Sequence, residues 1–395
     1  MPPDQAPETA RDFDIVMFGA TGFTGGLTAE YLARHAPANL RWALAGRSLA
    51  KLEAVRERLA GIDPRLEVLD LLQADVDDPA SLELVAARTR VVITTVGPYL
   101  QYGEGLVAAC ARLGTDYVDL TGEPEFVDTM YVKYQQQAVD SGARMVHACG
   151  FDSVPHDLGA YYTIQQLKPT GPVTMRGVVR AGGRFSGGTF HSAMGAASRA
   201  RLARDAFRSR IKAQPPTPGR SSRAVTGKPG RDDVLGLWLL PMPLIDAQIV
   251  ARSGAALASY GPKFRYSHYA GLRKLRTAVG ATAGIGGLVL AAQVPPLRRL
   301  LLDKVPQGQG PDAARREKSW FKVDFVAEAD GRTVHTRVSG GDPGYGETAK
   351  MLAEAGLCLA FDDNPKVAGQ VTTAEAMGDR LLARLQAAGI TFETL

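Results

Sequence analysis

Short apolar runs alternate with amphipathic stretches over the first 150 residues. The runs at 14–18, 40–45, 66–74, 90–96, 116–120 and 143–149 have the length and aliphatic content of buried strands. Between them, 23–35, 48–60, 79–88, 103–113 and 124–141 place apolar residues at helical spacing. Regular alternation of the two patterns predicts an α/β fold built on a doubly wound parallel sheet with right-handed crossovers. Ligands bind such a sheet beyond the C-terminal ends of its strands. Here those ends carry Asp75-Val76, Thr94–Tyr99, Asp119–Glu123 and Gly150–Asp157.

Past residue 157 the pattern changes. A strand at 173–181 leads through Gly182-Gly183 and Ser186-Gly-Gly-Thr189 to a helix expected at 190–208. The stretch 213–233 is rich in Pro, Gly, Ser and Arg and reads as an exposed linker. Two alternating runs, 320–328 and 333–339, flank Asp330-Gly331 and predict a hairpin. Helices follow at 344–360 and, after a Thr-rich cap, at 373–388. The expected organisation is a disordered leader at 1–12, a first domain at 13–157, a second, inserted α/β domain at 158–343, and C-terminal helices at 344–395 that pack back on the first.

One segment, 278–294, has no charge and is bracketed by Arg273, Arg276, Arg298 and Arg299. Its length and its glycines at 280, 284, 286 and 287 make it a poor membrane span. A buried helix is the leading reading; a surface that dips into lipid and a true span are the others.

Composition narrows the class. The chain has 395 residues, 45% hydrophobic and 22% charged, with net charge +5 and a pI near 9.0. This is ordinary for a globular protein of two domains. The basic stretch 199–231 reads as solvated surface charge, and no nucleic acid is expected. Cys110, Cys149 and Cys358 are few, distant and without metal-ligand spacing, which suits a reducing cytoplasm and implies no bound metal. Residues 1–12 lack the apolar core of a signal peptide.

The chemistry begins at Gly19-Ala-Thr-Gly-Phe-Thr-Gly25, directly after the first apolar run. Gly19 permits the sharp turn, Gly22 admits a pyrophosphate to the backbone, and Gly25 lets helix and strand pack closely. The phosphates sit on the helix N-terminus, where free N–H groups and the helix dipole favour an anion. Ala20, Thr21, Phe23 and Thr24 complete the expected cofactor contacts. An acid at the end of the second strand selects NAD; here the position carries Arg47 and Ser48, a cation suited to the 2′-phosphate of NADP. A surface turn cap is the plainer reading of Arg47.

Several further motifs accompany the turn: Ala45-Gly-Arg-Ser48, Thr94-Thr-Val-Gly-Pro-Tyr99, Tyr117-Val-Asp-Leu-Thr-Gly-Glu123 and Cys149-Gly-Phe-Asp-Ser-Val-Pro155. Near the C-terminus stand Gly341-Asp-Pro-Gly-Tyr345 and Ala376-Met-Gly-Asp-Arg-Leu381. Together they resemble the saccharopine dehydrogenase-like oxidoreductases, and most closely their mycobacterial trans-acting enoyl reductase branch. The resemblance implies an NADP(H)-binding Rossmann domain followed by a second α/β domain. It also implies a partner: a lipid or polyketide enoyl substrate, carried on a polyketide synthase that lacks its own reductase and leading to phthiocerol- or glycolipid-type products.

Enoyl reduction requires hydride at the β-carbon, stabilisation of charge on the thioester oxygen, and a proton for the α-carbon. Asp75, Val76, Thr95, Val96, Gly97, Pro98 and Tyr99 are expected along the cofactor. Tyr99 either shields the nicotinamide or donates the proton, unless it simply packs against Pro98. Asp152 either holds a polar group of the ligand or caps the helix that starts near Pro155. His191 is a candidate proton donor, His147 is expected in the core, and His156 is placed on the cleft rim. No tyrosine has a lysine four residues later, which disfavours a short-chain reductase. Two alternatives stay open. One is a saccharopine-type reductase using Arg176, Arg180, Arg184 and Arg199 on an amino-acid substrate; the other is a non-catalytic, membrane-associated NADP-binding protein. The apolar segment favours a greasy or carrier-bound substrate and peripheral contact with the inner face of the plasma membrane.

Overall fold

The structure, a computed structural model, describes residues 11–182, 198–242, 244–303 and 312–395. The leader before residue 11, His191, Arg184 and the first half of the helix expected at 190–208 lie outside them.

The apolar runs of the first half form β1 (Phe13–Phe18), β2 (Trp42–Gly46), β3 (Asp70–Gln73), β4 (Thr89–Thr94), β5 (Asp116–Val118) and β6 (Arg144–Val146). All pair in parallel, with β1 between β2 and β4. All six residues of β1 are buried, because helices cover both faces of the sheet. The run expected at 66–74 divides: Pro64–Val68 is a 3₁₀ turn, begun by Asp63, whose carboxylate accepts from Arg65 N, and only Asp70–Gln73 is strand.

A second sheet holds β7 (Val173–Gly182), β8 (Ser221–Ala224), β9 (Gly230–Asp232), β10 (Leu237–Pro241), β11 (Lys263–Leu272), β12 (Trp320–Ala329) and β13 (Arg332–Gly340). The expected linker at 213–233 therefore contributes two short strands. Both are polar and β8 is mostly exposed, so neither shows an alternating pattern. The β12–β13 hairpin turns at Asp330 and Gly331, both at positive φ (53° and 72°), as a tight turn with the twist of its strands requires.

The chain then returns to the first sheet. The helix Gly346–Phe361 is buried along most of its length and packs on the helix Phe23–His35 and on β4. At Gly356 an added Cβ would meet Ile93 Cγ1 at 2.8 Å, so helix and sheet approach more closely than alanine would allow. β14 (Gly369–Val371) extends the first sheet beside β6, making seven strands in the order β14-β6-β5-β4-β1-β2-β3. The helix expected at 373–388 is broken at Gly378 (φ 38°), and β15 (Thr391–Thr394) closes the edge of the second sheet beside β13.

The uncharged segment forms the helix Leu275–Gln293, long and apolar enough to cross a membrane but only 12% buried over its most apolar window. This overturns the leading expectation of a buried helix. Ala291 and Ala292 pack inward, while Val279, Leu288 and Leu290 are exposed. The next helix, Pro295–Asp303, exposes Leu297 and Leu300.

Candidate cofactor and active site

The glycine turn has the geometry its spacing demands. Gly19 has φ 94° and its N–H donates to Ala45 O of β2. Gly22 N donates to Gly19 O, closing the turn. A Cβ at Gly25 would stand 2.6 Å from Thr95 Oγ1 and closer still to Gly19 O. A Cβ at Gly22 would meet no protein atom nearer than 3.5 Å, which leaves that side open. Gly22 caps the helix Phe23–His35 with no side chain on its free N–H groups. A glycine cradle at an uncapped helix N-terminus fits a pyrophosphate. Ala20 is buried, Thr21 is exposed, and Thr24 O accepts from Thr28 Oγ1. The Phe23 ring meets the Tyr345 ring edge-to-face at 4.9 Å, bringing the Gly341–Tyr345 motif to the turn.

At the end of β2 the Arg47 side chain is exposed, and its carbonyl accepts from Gln73 Nε2. Ser48 caps the following helix through a long bond from Lys51 N, 3.5 Å. After β3, the Asp75 carboxylate accepts from Asp77 N, and Val76 packs on the core beneath.

Beyond β4, Thr95 Oγ1 donates to Gly19 O and Thr95 N to Phe18 O, fastening this loop to the glycine turn. Val96 is half-buried and Gly97 exposed, with Pro98 ahead of the short helix Tyr99–Tyr102. Tyr99 corrects an expectation. Its ring is buried, its hydroxyl donates to Thr94 O at 3.2 Å and accepts from Leu120 N at 3.1 Å. Burial, with the Asp119 charge nearby, pushes the phenol well above its ordinary range. It is a packed tie between strand ends and a poor proton donor.

Asp152 differs. It lies between β6 and the helix Val154–Leu167, half-buried, and burial pushes its carboxyl up to about 6. Among the described residues no hydrogen bond or ion pair engages that carboxylate. Ser153 is the N-cap instead, without a side-chain bond, so Asp152 does not cap this helix. Phe151 N donates to Thr348 Oγ1, which joins this loop to the Gly341–Tyr345 stretch. The carboxyl edge of the sheet thus gathers the glycine turn, the β4 loop, Asp152 and the 341–348 segment.

The saccharopine dehydrogenase NADP binding domain family matches residues 15–146, the span of β1 to β6. A trans-acting enoyl reductase of Mycobacterium bovis is 38% identical, covering 97% of this chain and 98% of its own. One of Mycobacterium ulcerans is 37% identical, with coverages of 96% and 97%. A Mycobacterium tuberculosis protein that bears the same name provisionally is 41% identical over 98% of both chains. The chain belongs to the trans-acting enoyl reductase family. It is an NADP-dependent oxidoreductase. Its fold is also that of yeast saccharopine dehydrogenase, with TM-score 0.55 at 14% identity, covering 97% of this chain and all of the other.

In this reductase three of the four arginines considered for a charged substrate are otherwise engaged. Arg176 pairs with Asp232 at 2.5 Å and Glu328 at 3.0 Å, Arg180 with Asp324 at 2.8 Å, and Arg199 with Glu125 at 2.6 Å. Arg184 is outside the described residues.

His147 is in the core, bridging Asp119 Oδ2 and Gln370 Oε1 at 2.6 Å each. Asp119 also accepts from Ala148 N, Thr121 N and Tyr117 Oη, and so fixes the ends of β5 and β6. Glu123 accepts from Tyr99 N and Leu100 N, which sets the loop after β4. These organisers were placed near the site by the strand ends but had no role assigned from sequence. His156 is not on a rim. It is 2% exposed and faces Asp246 and His268, residues no sequence pattern had singled out. Their only sequence signal is in β11, where Phe264, Tyr266 and His268 share the inward face at period two.

Proposed function

We propose that this reductase reduces the carbon–carbon double bond of an enoyl thioester of a polyketide or lipid intermediate, held on the carrier of a synthase. The observation that carries the reading is the full-length likeness to enoyl reductases acting in trans. The glycine turn would hold NADPH, with Arg47 at its 2′-phosphate, and the cofactor would supply the hydride. Gly19, Gly22 and Gly25 would hold its pyrophosphate at the carboxyl edge of the sheet, and the loop Thr94–Pro98 would lie beside its nicotinamide. Asp152 would hold the proton destined for the α-carbon, and the cofactor would supply the hydride for the β-carbon, so that one hydride and one proton saturate the bond. A carboxyl that titrates near 6 is well suited to proton transfer close to neutrality. The internal pairing of Arg176, Arg180 and Arg199 weighs against an amino-dicarboxylate substrate.

The exposed helix Leu275–Gln293 supports peripheral contact with lipid on the cytoplasmic side. Val279, Leu288 and Leu290 project from it, Arg276 is in its first turn, and Arg273, Lys274, Arg298 and Arg299 flank it. Sedimentation with anionic phospholipid vesicles tests this contact, and Leu290→Asp should abolish binding if the helix makes it. The activity itself is tested by NADPH consumption with an enoyl thioester, beside its saturated analogue and saccharopine. Turnover with the enoyl compound alone is expected; turnover with saccharopine alone would reverse the assignment.

A further inference from the structure

Three polar side chains from distant parts of the chain meet behind the Asp152 loop. His156 is in the first turn of the helix Val154–Leu167, Asp246 in the first turn of the helix Ile245–Ala256, and His268 in β11. They are 2%, 2% and 4% exposed. His156 Nε2 lies 3.7 Å from Asp246 Oδ1, and His268 Nε2 lies 3.7 Å from Asp246 Oδ2. The two imidazoles stand perpendicular, with ring centres 4.7 Å apart. One ligand atom from each residue falls within 4.8 Å of the other two.

These distances do not describe a hydrogen-bonded triad. An N–H···O bond closes at roughly 2.7–3.2 Å, and both gaps here exceed that. His156 Nδ1, Asp246 Oδ1 and His268 Nε2 are buried with no hydrogen-bond partner. Leaving one such group unsatisfied costs about 1–3 kcal/mol, and a buried carboxylate without a partner costs more. Two of these orphans, Asp246 Oδ1 and His268 Nε2, belong to the atoms that face one another across the cluster, and a shared partner would satisfy both. Metal–nitrogen and metal–oxygen bonds near 2.0–2.2 Å place tetrahedral ligands about 3.3 Å apart. The 3.7 Å gaps approach that spacing, and the ligand atoms all lie within 4.8 Å of one another.

We propose that His156, Asp246 and His268 bind one divalent first-row transition metal ion, zinc or iron(II). Two imidazoles and one carboxylate are the donors such ions prefer, and hard magnesium or calcium would demand more oxygens. The surroundings supply the outer support that ligating histidines need. His268 Nδ1 lies 3.1 Å from Tyr266 Oη, and with Nδ1–H donating there, the Nε2 lone pair is turned toward Asp246. The Phe151 ring meets the His156 ring edge-to-face, with centres 5.6 Å apart. An ion here neutralises Asp246 and joins the helix after the Asp152 loop to the second sheet. It thereby fixes the loop that carries Asp152. The site is independent of which substrate is reduced.

The test uses the full chain, stripped with a chelator and titrated with Co²⁺ alone, then with Zn²⁺ in competition. Visible d–d absorption that saturates at about one ion per chain and is displaced by zinc is expected. His268→Gln and Asp246→Asn should weaken Co²⁺ binding about tenfold or more, whereas His35→Gln, at an exposed histidine elsewhere, should leave it unchanged. Far-UV circular dichroism checks that the variants fold; if they do not, the wild-type cobalt spectrum decides alone. No absorption and no retained ion in the wild-type chain would overturn the proposal. So would equal binding by folded His268→Gln and His35→Gln.

Discussion

Replacing Gly25 by alanine should disable the cofactor site through the backbone alone. A Cβ there stands 2.6 Å from Thr95 Oγ1 and 2.9 Å from Gly19 C, with Gly19 O nearer still, whereas ordinary contact begins near 3.4 Å. Thr95 Oγ1 could swing aside, but the Gly19 backbone is pinned by its bond to Ala45 O. The helix Phe23–His35 must then slide outward by about 1 Å, taking its free N–H groups with it. Overpacking of this kind costs about 1–3 kcal/mol of stability. Loss of phosphate alignment of similar size weakens NADPH about 10–100-fold, since each ~1.4 kcal/mol is a factor of ten. Fluorescence titration with NADPH and urea denaturation measure the two effects. Gly22→Ala is the comparison. Its Cβ meets nothing of the protein within 3.5 Å, so the chain should keep its urea midpoint yet lose NADPH affinity by blocking the pyrophosphate. Wild-type affinity in Gly25→Ala, or equal destabilisation by both substitutions, would refute this account of the turn.

Other consequences are equally open to measurement. Arg47→Asp should remove the preference for NADPH over NADH, because a charge-assisted contact worth about 1.5–3 kcal/mol becomes a repulsion; an unchanged preference in steady-state kinetics would remove Arg47 from the selector position. With Asp152 as proton donor, kcat should fall as pH rises past about 6; Asp152→Asn should lower kcat about 100-fold and abolish that limb, and an unaltered profile would acquit Asp152. Asp324 behaves in the opposite sense. Burial raises its carboxyl, but hydrogen bonds from His335, Arg180 and Arg337 hold it at about 2, against 3.8 for a free aspartate. Its contribution of about 2 kcal/mol is therefore complete above pH 4 and lost as pH falls toward 2. Urea midpoints at pH 7 and pH 3 should differ less in Asp324→Asn than in the wild type.

Local signals were legible where one stretch of chain carries the whole device. The glycine turn needs only seven consecutive residues and the strand before them, and Asp330-Gly331 needs only its two flanking strands. Features assembled across the chain were not. β14 is three residues long and acquires meaning only beside β6. The polar edge strands β8 and β9 have too little burial to impose alternation, so they resembled a linker. The helix Leu275–Gln293 showed its apolar content but not what covers it, and the structure leaves it exposed. Tyr99 was placed at the correct strand end, yet only the three-dimensional partners Thr94 O and Leu120 N reveal that its hydroxyl is spent. His156, Asp246 and His268 lack any common spacing, since each belongs to a different element.

Isotope transfer reads directly where the hydride goes. The full chain would be given NADPH deuterated at C4 on the transferred face, with an enoyl thioester on a carrier, and the product examined by mass spectrometry. One deuterium at the β-carbon and one solvent proton at the α-carbon are predicted. Deuterium at a carbonyl or imine carbon, or label retained by NADPH while the double bond persists, would contradict the account.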